Sequence, residues 1–267
     1  MSAFLASGKH SITRWLVVAS ATLFSHSLLA APAEALDDIY HSIIKSYYSV
    51  NGFYNFSANQ ADKNQRVLIE DLIQEIDDHI GSAGEALDGA NAEAFETAES
   101  TWNRYAKVLK QNVKEVIDTG YPDLRLAGDM ASSNIAFNDA MQNLYQAINT
   151  STPASNLIQT SRDAAMTMAL MMTKYSARST STVSQVYSGG DAEITIDALA
   201  QQFDAKITKL LELQKGKPEA AKLLDSAKTK WDFIRSSYIN YNENRVNFIV
   251  NLYSKKIISD IEASLAI

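Results

Sequence analysis

The sequence predicts an all-α protein, built as an elongated up-and-down antiparallel helical bundle. Three observations predict this fold. Apolar residues recur at intervals of three and four along most of the chain, no segment alternates apolar and polar residues over the length of a strand, and the scarce glycines and prolines fall between the periodic segments. The connections between these segments are two to five residues long, which favours antiparallel neighbours.

The first 33 residues predict where the protein works. Lys9 and Arg14 give a basic start, residues 15–29 are mostly apolar, and Ala31-Pro32-Ala33 is a small-x-small cleavage pattern. This combination is typical of a secretory signal peptide. An uncleaved membrane anchor is the competing interpretation, although about 15 apolar residues are short for a bilayer span of about 20. We therefore predict a signal peptide over residues 1–33 and a periplasmic protein.

Two periodic segments follow. The first runs from Leu36 to Val50 and is interrupted at Asn51-Gly52, a pair that favours turns. The same spacing resumes at residue 68 and continues to Leu87, just before Asp88-Gly89. We expect two helices here, or one long kinked helix.

The next two segments have clear boundaries. Asn91 is a plausible N-cap for a third helix that carries Trp102, and Gly120 is its expected C-terminal stop. A fourth segment begins at Leu124 and ends before Pro153. Both segments carry the apolar stripe of an amphipathic helix.

The last part of the chain predicts three more helices. A fifth helix spans residues 154–187 and a sixth is capped by Asp191 and closed by Gly216. Pro218 then occupies the first turn of a seventh, where proline is tolerated. Its periodicity continues to about Leu265, so we expect one long final helix.

The helices divide into residues 36–150 and 154–267, which pack as one domain or as two bundle units. Aligning Trp102 with Trp231 brings the surrounding stretches into partial register, with low identity. Two interpretations stay open: a duplicated unit, or the similarity that any two amphipathic helices share.

Composition excludes several functions. The chain has no cysteine, which rules out disulfides, thiolate metal sites and the thioether lipid of a lipoprotein. Residues 1–33 hold two basic residues and no acidic one, so the rest of the chain has a net charge of −9. Such a surface repels phosphate backbones, and we expect no nucleic-acid partner.

No catalytic motif is complete. Gly-x-Ser-x-Gly, a phosphate-binding loop and His-Glu-x-x-His are all missing from the sequence. Asp37 and His41, like Glu75 and His79, are four residues apart, a spacing that suits metal ligands on one helix face. Because the further inward glutamates of a dimetal site are lacking, we interpret these residues as solvated helix faces. We expect no enzymatic activity, no metal and no cofactor.

Three stretches carry a shared pattern: ADKNQRVL around Arg66, SRDAAMTM around Arg162, and a helix with Trp231 about a dozen residues in. The pattern resembles the periplasmic sensing domain of type IV pilus methyl-accepting chemotaxis transducers, the PilJ-type domain, whose segment has the form AGRQRMLSQR. The resemblance covers most of residues 56–265. It implies a sensory bundle in which arginines at a helix interface hold a small anion, with Arg66 and Arg162 at the matching positions.

A second candidate anion site lies near the end of the chain. Arg245 is close to the apolar stripe of the last predicted helix, where Tyr238 and Tyr241 supply hydroxyl groups. A guanidinium there could bind a carboxylate with two hydrogen bonds. The alternative is that its head pairs with Glu243 or with solvent while its stem covers apolar surface.

These observations favour a periplasmic sensory or ligand-binding module that recognises a small anion or polar metabolite and acts through a membrane receptor. The alternative is a non-enzymatic structural or assembly protein of the cell envelope. An exported helical toxin is a third option, although such proteins usually carry a longer apolar hairpin. The sequence does not specify the oligomeric state.

Overall fold

The chain is helical nearly throughout. A computed structural model describes the backbone at residues 13–59, 61–87, 89–179, 194–240 and 246–267, and the side chains of these residues except 13–31 and 179. The α-helices are α1 (Thr13–Ala58), α2 (Lys63–Ala86), α3 (Ala92–Thr119), α4 (Leu124–Ser151), α5 (Asn156–Ser179), α6 (Ile196–Leu213), α7 (Pro218–Ile239) and α8 (Asn247–Ala263). A short 3-10 turn, Gly89–Asn91, precedes α3. The predicted all-α bundle is confirmed.

Several predicted helix ends are confirmed. Gly120 follows α3 with φ +85° and Gly216 follows α6 with φ +98°, left-handed conformations that glycine adopts without steric cost. Asn91 is the N-cap of α3, although its side chain makes no capping hydrogen bond. Thr195 caps α6 by accepting a hydrogen bond from the backbone of Ala198. The predicted cap at residue 191 lies outside the described residues, as does the predicted end of the fifth helix.

The predicted interruption at Asn51-Gly52 is wrong, because α1 continues through it to Ala58. A Cβ atom on Gly52 would lie 3.2 Å from Cγ1 of Ile69, so the glycine lets α1 and α2 approach closely. The Asn51 side chain is buried and donates to Ser176 Oγ at 2.6 Å. Tertiary packing therefore uses both residues inside a helix and overrides their turn preference.

The predicted long final helix is also wrong. Helix α7 ends at Ile239, and α8 begins at Asn247 and packs back against α7. The hydroxyls of Tyr238 and Ser254, one on each helix, lie 2.7 Å apart. A continuous helix would carry its C-terminal half away from the bundle, whereas the break lets both halves bury their apolar stripes.

Helices α1 and α5 form the centre of the molecule. They contact each other directly, and their side chains are buried over most of the length that the structure describes. The bonds between them follow the same order along both helices, which makes them parallel: Asp37 with Arg162, Tyr47 with Thr173, and Asn51 with Ser176. Helices α2 and α4 pack on α1, and α6 and α8 pack on α5. We call α1–α4 the first unit and α5–α8 the second unit.

The two units repeat the same hydrogen bonds. In the first, Trp102 Nε1 of α3 donates to Asp77 of α2 at 2.5 Å; in the second, Trp231 Nε1 of α7 donates to Asp204 of α6 at 2.7 Å. The sequence alignment of Trp102 with Trp231 therefore also brings α2 into correspondence with α6, the helices that carry the two aspartates.

An asparagine ladder repeats as well. Each unit has two asparagines four residues apart on its last helix, and the side-chain amide of the second donates to that of the first at 3.1 Å. The pairs are Asn138 to Asn134 on α4 and Asn251 to Asn247 on α8. A serine on the first helix of each unit donates to the later asparagine, Ser46 at 2.8 Å and Ser176 at 3.1 Å. These polar layers occupy equivalent places in the two units, buried in the first and partly buried in the second.

A polar seam connects the units between α1 and α8. Its side chains meet in antiparallel order, as hydrogen bonds or as an ammonium placed over a ring. The pairs are Tyr40–Glu262, Tyr48–Lys255, Asn51–Asn251 and Asn55–Asn247. Hydrogen bonds are directional, so this seam fixes the register of α8 on α1 more strictly than an apolar contact would.

The predicted signal peptide stays a prediction. Helix α1 begins at Thr13, and Pro32 of the cleavage pattern lies inside it. Over the described residues, no helix combines the length and apolar character that a membrane crossing needs.

Candidate functional site

Arg162 is buried between the units. Its Nη2 donates to Asp37 Oδ1 at 2.6 Å, its Nη1 donates to the Tyr145 hydroxyl at 3.2 Å, and its Cζ lies 5.3 Å from the ring centroid of Tyr40. The hydrogen bond with His41, reinforced by the charges of His41 and Arg162, lowers the pKa of Asp37 against the opposing effect of burial. The guanidinium already holds a carboxylate of its own chain, so it acts as a clamp between α1, α4 and α5.

The other predicted site residues lie apart from Arg162. Arg66 is in the first turn of α2, 3.4 Å from Glu70, at the opposite end of the bundle. Tyr238 is fully buried and bonded to Ser254, and burial raises the pKa of its phenol. Tyr241 and Arg245 are outside the described residues. The structure therefore does not bring Arg66, Arg162 and Tyr238 into one site.

A cleft of about 500 Å³ lies beside α3 in the first unit. Eight residues line it, one from α2 and seven from α3, and we call it the α2–α3 cleft. They are Asp77, Trp102, Asn103, Ala106, Lys107, Lys110, Gln111 and Lys114. Near the turn that joins the two helices, the Phe95 ring packs against Gly84, where a Cβ atom would lie 2.6 Å from Cζ. Helices α2 and α3 touch less extensively than α6 and α7 do, which leaves room for the cleft.

Three lysines on one side of α3 make the cleft basic. Lys107, Lys110 and Lys114 are spaced at i, i+3 and i+7, which places them along one helix face. Lys114 bonds to Asp118, and this bond raises its pKa. Among the residues that the structure describes, neither Lys107 nor Lys110 has an ion-pair partner. The cleft concentrates positive charge on a protein whose net charge is −7.

Asp77 and Trp102 meet in the cleft, where Asp77 is exposed and Trp102 is buried. Trp102 is 2% exposed, and its Nε1 donates a hydrogen bond to Oδ1 of Asp77. Within the described part of the chain, no basic side chain forms an ion pair with Asp77. The cleft therefore offers one carboxylate beside the ammonium groups of Lys107 and Lys110, while the third, that of Lys114, already pairs with Asp118.

Sequence reasoning missed this site. The lysine spacing on α3 was visible, but Asp77 lies 25 residues from Trp102, and only the packing of α2 beside α3 brings them together. It also missed that His41 and His79 stack, with ring centroids 5.3 Å apart. Within the described residues, no group of three potential ligands is arranged to hold a metal ion.

Comparison with protein-family models, curated proteins and solved structures finds no match to this chain.

Proposed function

We propose that the protein is an exported helical-bundle module that binds a small, negatively charged molecule in the α2–α3 cleft and passes that state to a membrane partner. The observation that carries the proposal is the open cleft lined by Lys107, Lys110 and Lys114. Its volume of about 500 Å³ suits a metabolite of modest size. The predicted signal peptide supports the periplasmic location, and the PilJ-type resemblance supports a sensory role.

The charge distribution favours an anion. Acidic side chains outnumber basic ones in the chain, 31 to 24, yet the cleft has three lysines and one aspartate. Ammonium groups that line a concave surface bind carboxylate or phosphate oxygens through charge-assisted hydrogen bonds. The acidic remainder of the surface disfavours large polyanions, which leaves small anions as the fitting ligands.

A path from the cleft to the centre of the bundle supports signalling. The Trp102 ring lies 5.3 Å from Phe137 of α4 and 5.8 Å from Tyr105. The Tyr105 hydroxyl is 2.6 Å from Ser49 Oγ of the central helix α1. A ligand that shifts Trp102 would therefore act on the central helix α1 through two contacts.

The experiment is a thermal-shift titration of the full chain with succinate, inorganic phosphate and nitrate at constant ionic strength. Preferential binding to the native state raises the melting temperature as probe concentration rises. We expect at least one probe to stabilise the protein, and the variant Lys107→Gln/Lys110→Gln to lose the effect.

The matched control is Lys209→Gln/Lys222→Gln, which removes the same charge from exposed positions outside the cleft. It should respond as the parent does. If the control and the cleft variant lose the response equally, the anion effect is nonspecific. If none of the three probes shifts the parent, the proposed binding function is refuted.

One observation favours the scaffold alternative. Phe233 is 63% exposed and Phe248 is 76% exposed, and the Phe233 ring contacts Tyr253 with centroids 5.2 Å apart. Exposed aromatic rings are typical of protein interfaces. Loss of a cell-envelope assembly on Phe233→Ser, with succinate binding absent in the parent, would support this alternative.

A further inference from the structure

In the second unit, the place that corresponds to the cleft is filled by Arg235. Arg235 follows Trp231 by four residues, as Ala106 follows Trp102. The guanidinium binds Asp204 with Nη2 at 2.7 Å and Nε at 3.0 Å from Oδ2. The first unit has the same Trp–Asp pair but an alanine where the arginine would be.

In the second unit, the charge of Asp204 is stabilised by Arg235 and Trp231. Burial raises the pKa of Asp204, but the hydrogen bonds from Arg235 and Trp231, together with the positive charges of Arg235 and Lys228, outweigh it, and the pKa is lowered. The carboxylate thus stays ionised, with an indole N–H on one side and a guanidinium on the other. Asp77 has the indole N–H and lacks the guanidinium.

We propose that the α2–α3 cleft takes a small zwitterion whose cationic nitrogen group pairs with Asp77 while its acidic groups contact the lysines of α3. This inference rests on the proposed function and specifies its ligand class. The cationic group takes the place that the Arg235 side chain fills in the second unit. Guanidinium and primary ammonium groups both satisfy a carboxylate in this position.

Neither a simple anion nor a simple cation uses the whole cleft. A dicarboxylate neutralises Lys107 and Lys110 but places negative charge near Asp77, which is unfavourable. A diamine satisfies Asp77 but meets three lysines. A molecule with one cationic group and two carboxylates complements both parts.

The test is isothermal titration calorimetry on the full chain with three matched probes: succinate, L-aspartate and guanidinosuccinate. All three carry the same two carboxylates, and they differ only in having no cation, an ammonium or a guanidinium. We expect the two zwitterions to bind at least tenfold more tightly than succinate, the range expected for a charge-assisted hydrogen bond.

Variants assign the difference to Asp77. Asp77→Asn keeps an acceptor for the Trp102 indole and removes the charge, so the preference for zwitterions should fall to about one. Asp71→Asn removes a charge from an exposed position on the same helix and should keep the preference. Ala106→Arg should place a guanidinium beside Asp77, as in the second unit, and also abolish the preference for zwitterions.

The outcomes separate the two proposals. Equal affinity for the three probes, or a zwitterion preference that survives Asp77→Asn, refutes the zwitterion inference and leaves the anion site standing. Failure of the parent to bind any of the three refutes the zwitterion inference, and the anion site is refuted as well only if phosphate and nitrate also fail to shift the melting temperature of the parent.

A second measurement is independent of the cleft. Arg235→Ala opens the equivalent place in the second unit, and we expect it to lower the melting temperature. Millimolar methylguanidinium should recover part of that loss, because it can occupy the vacated position beside Asp204. Tetramethylammonium, which donates no hydrogen bond, should not. If methylguanidinium gives no more recovery than tetramethylammonium, the guanidinium-binding role of the Trp–Asp pair is refuted.

Discussion

Replacing each of the two tryptophans by alanine tests the equivalence of the two units. Trp231 is fully buried, its ring meets Phe203 edge to face at 4.9 Å, and its Nε1 bonds to Asp204. Trp102 is 2% exposed and has the corresponding bond to Asp77. A buried tryptophan removes about 200 Å² from water, which at about 25 cal/mol per Å² corresponds to roughly 5 kcal/mol.

Part of that loss is recovered, because alanine retains a methyl group and the surrounding side chains relax. We therefore expect Trp231→Ala and Trp102→Ala each to lower the free energy of unfolding by about 3 to 5 kcal/mol. The milder changes Trp231→Phe and Trp102→Phe keep most of the ring volume and remove the hydrogen bond to the carboxylate. For these we expect a loss of about 1 to 3 kcal/mol.

The assay is urea denaturation followed by circular dichroism at 222 nm, with the free energy of unfolding extrapolated to zero denaturant. Equal losses at the two positions support equivalent roles. A loss below about 1 kcal/mol at one tryptophan and above about 3 kcal/mol at the other would refute the claim that the two units are held together in the same way.

Three further predictions concern protonation and processing. The pKa of Asp37 is lowered in the folded state, so its contribution to stability should disappear as pH falls below about 4. In urea titrations, Asp37→Asn should lose less free energy of unfolding over this pH range than the parent does. Burial lowers the pKa of Lys174 to about 8, well below the ordinary value of a lysine, so the folded state binds this proton less well than the unfolded state. The parent should therefore gain stability relative to Lys174→Met as pH rises from about 8 to 10.5, and a constant difference would contradict the assignment. N-terminal sequencing of the periplasmic fraction should find a start between Ala31 and Leu36, whereas retention of Met1 on membrane-bound material would rule out cleavage.

The sequence predicts the helices well where local signals and tertiary packing agree. Gly120 ends α3 in a left-handed conformation, Gly216 adopts one in the turn after α6, and the apolar stripes containing Trp102 and Trp231 face the core. It fails at Asn51-Gly52, whose turn preference is local, because the buried amide bond and the close approach to α2 depend on distant residues.

The candidate site was harder to predict than the fold. The PilJ-type resemblance predicts a small anion at Arg162, whereas in the structure its guanidinium donates to the carboxylate of Asp37 of the same chain. Our interpretation of the cleft rests on comparing Ala106 with Arg235. That comparison requires knowing that Asp77 lies beside the first position and Asp204 beside the second. Spacing along one helix cannot supply that information.

The polar seam has a consequence for how the chain acquires its structure. The hydrogen bond from Tyr40 to Glu262 joins residues 222 positions apart, and that from Asn51 to Asn251 joins residues 200 apart. Contacts with such long sequence separation form late, because the intervening loop must close before they contribute. During synthesis, the tyrosine and asparagine side chains of α1 that belong to the polar seam have no partners until α8 has been made. We expect folding to be limited by the docking of α8, and a factor that shields α1 in the meantime would raise the yield of native protein.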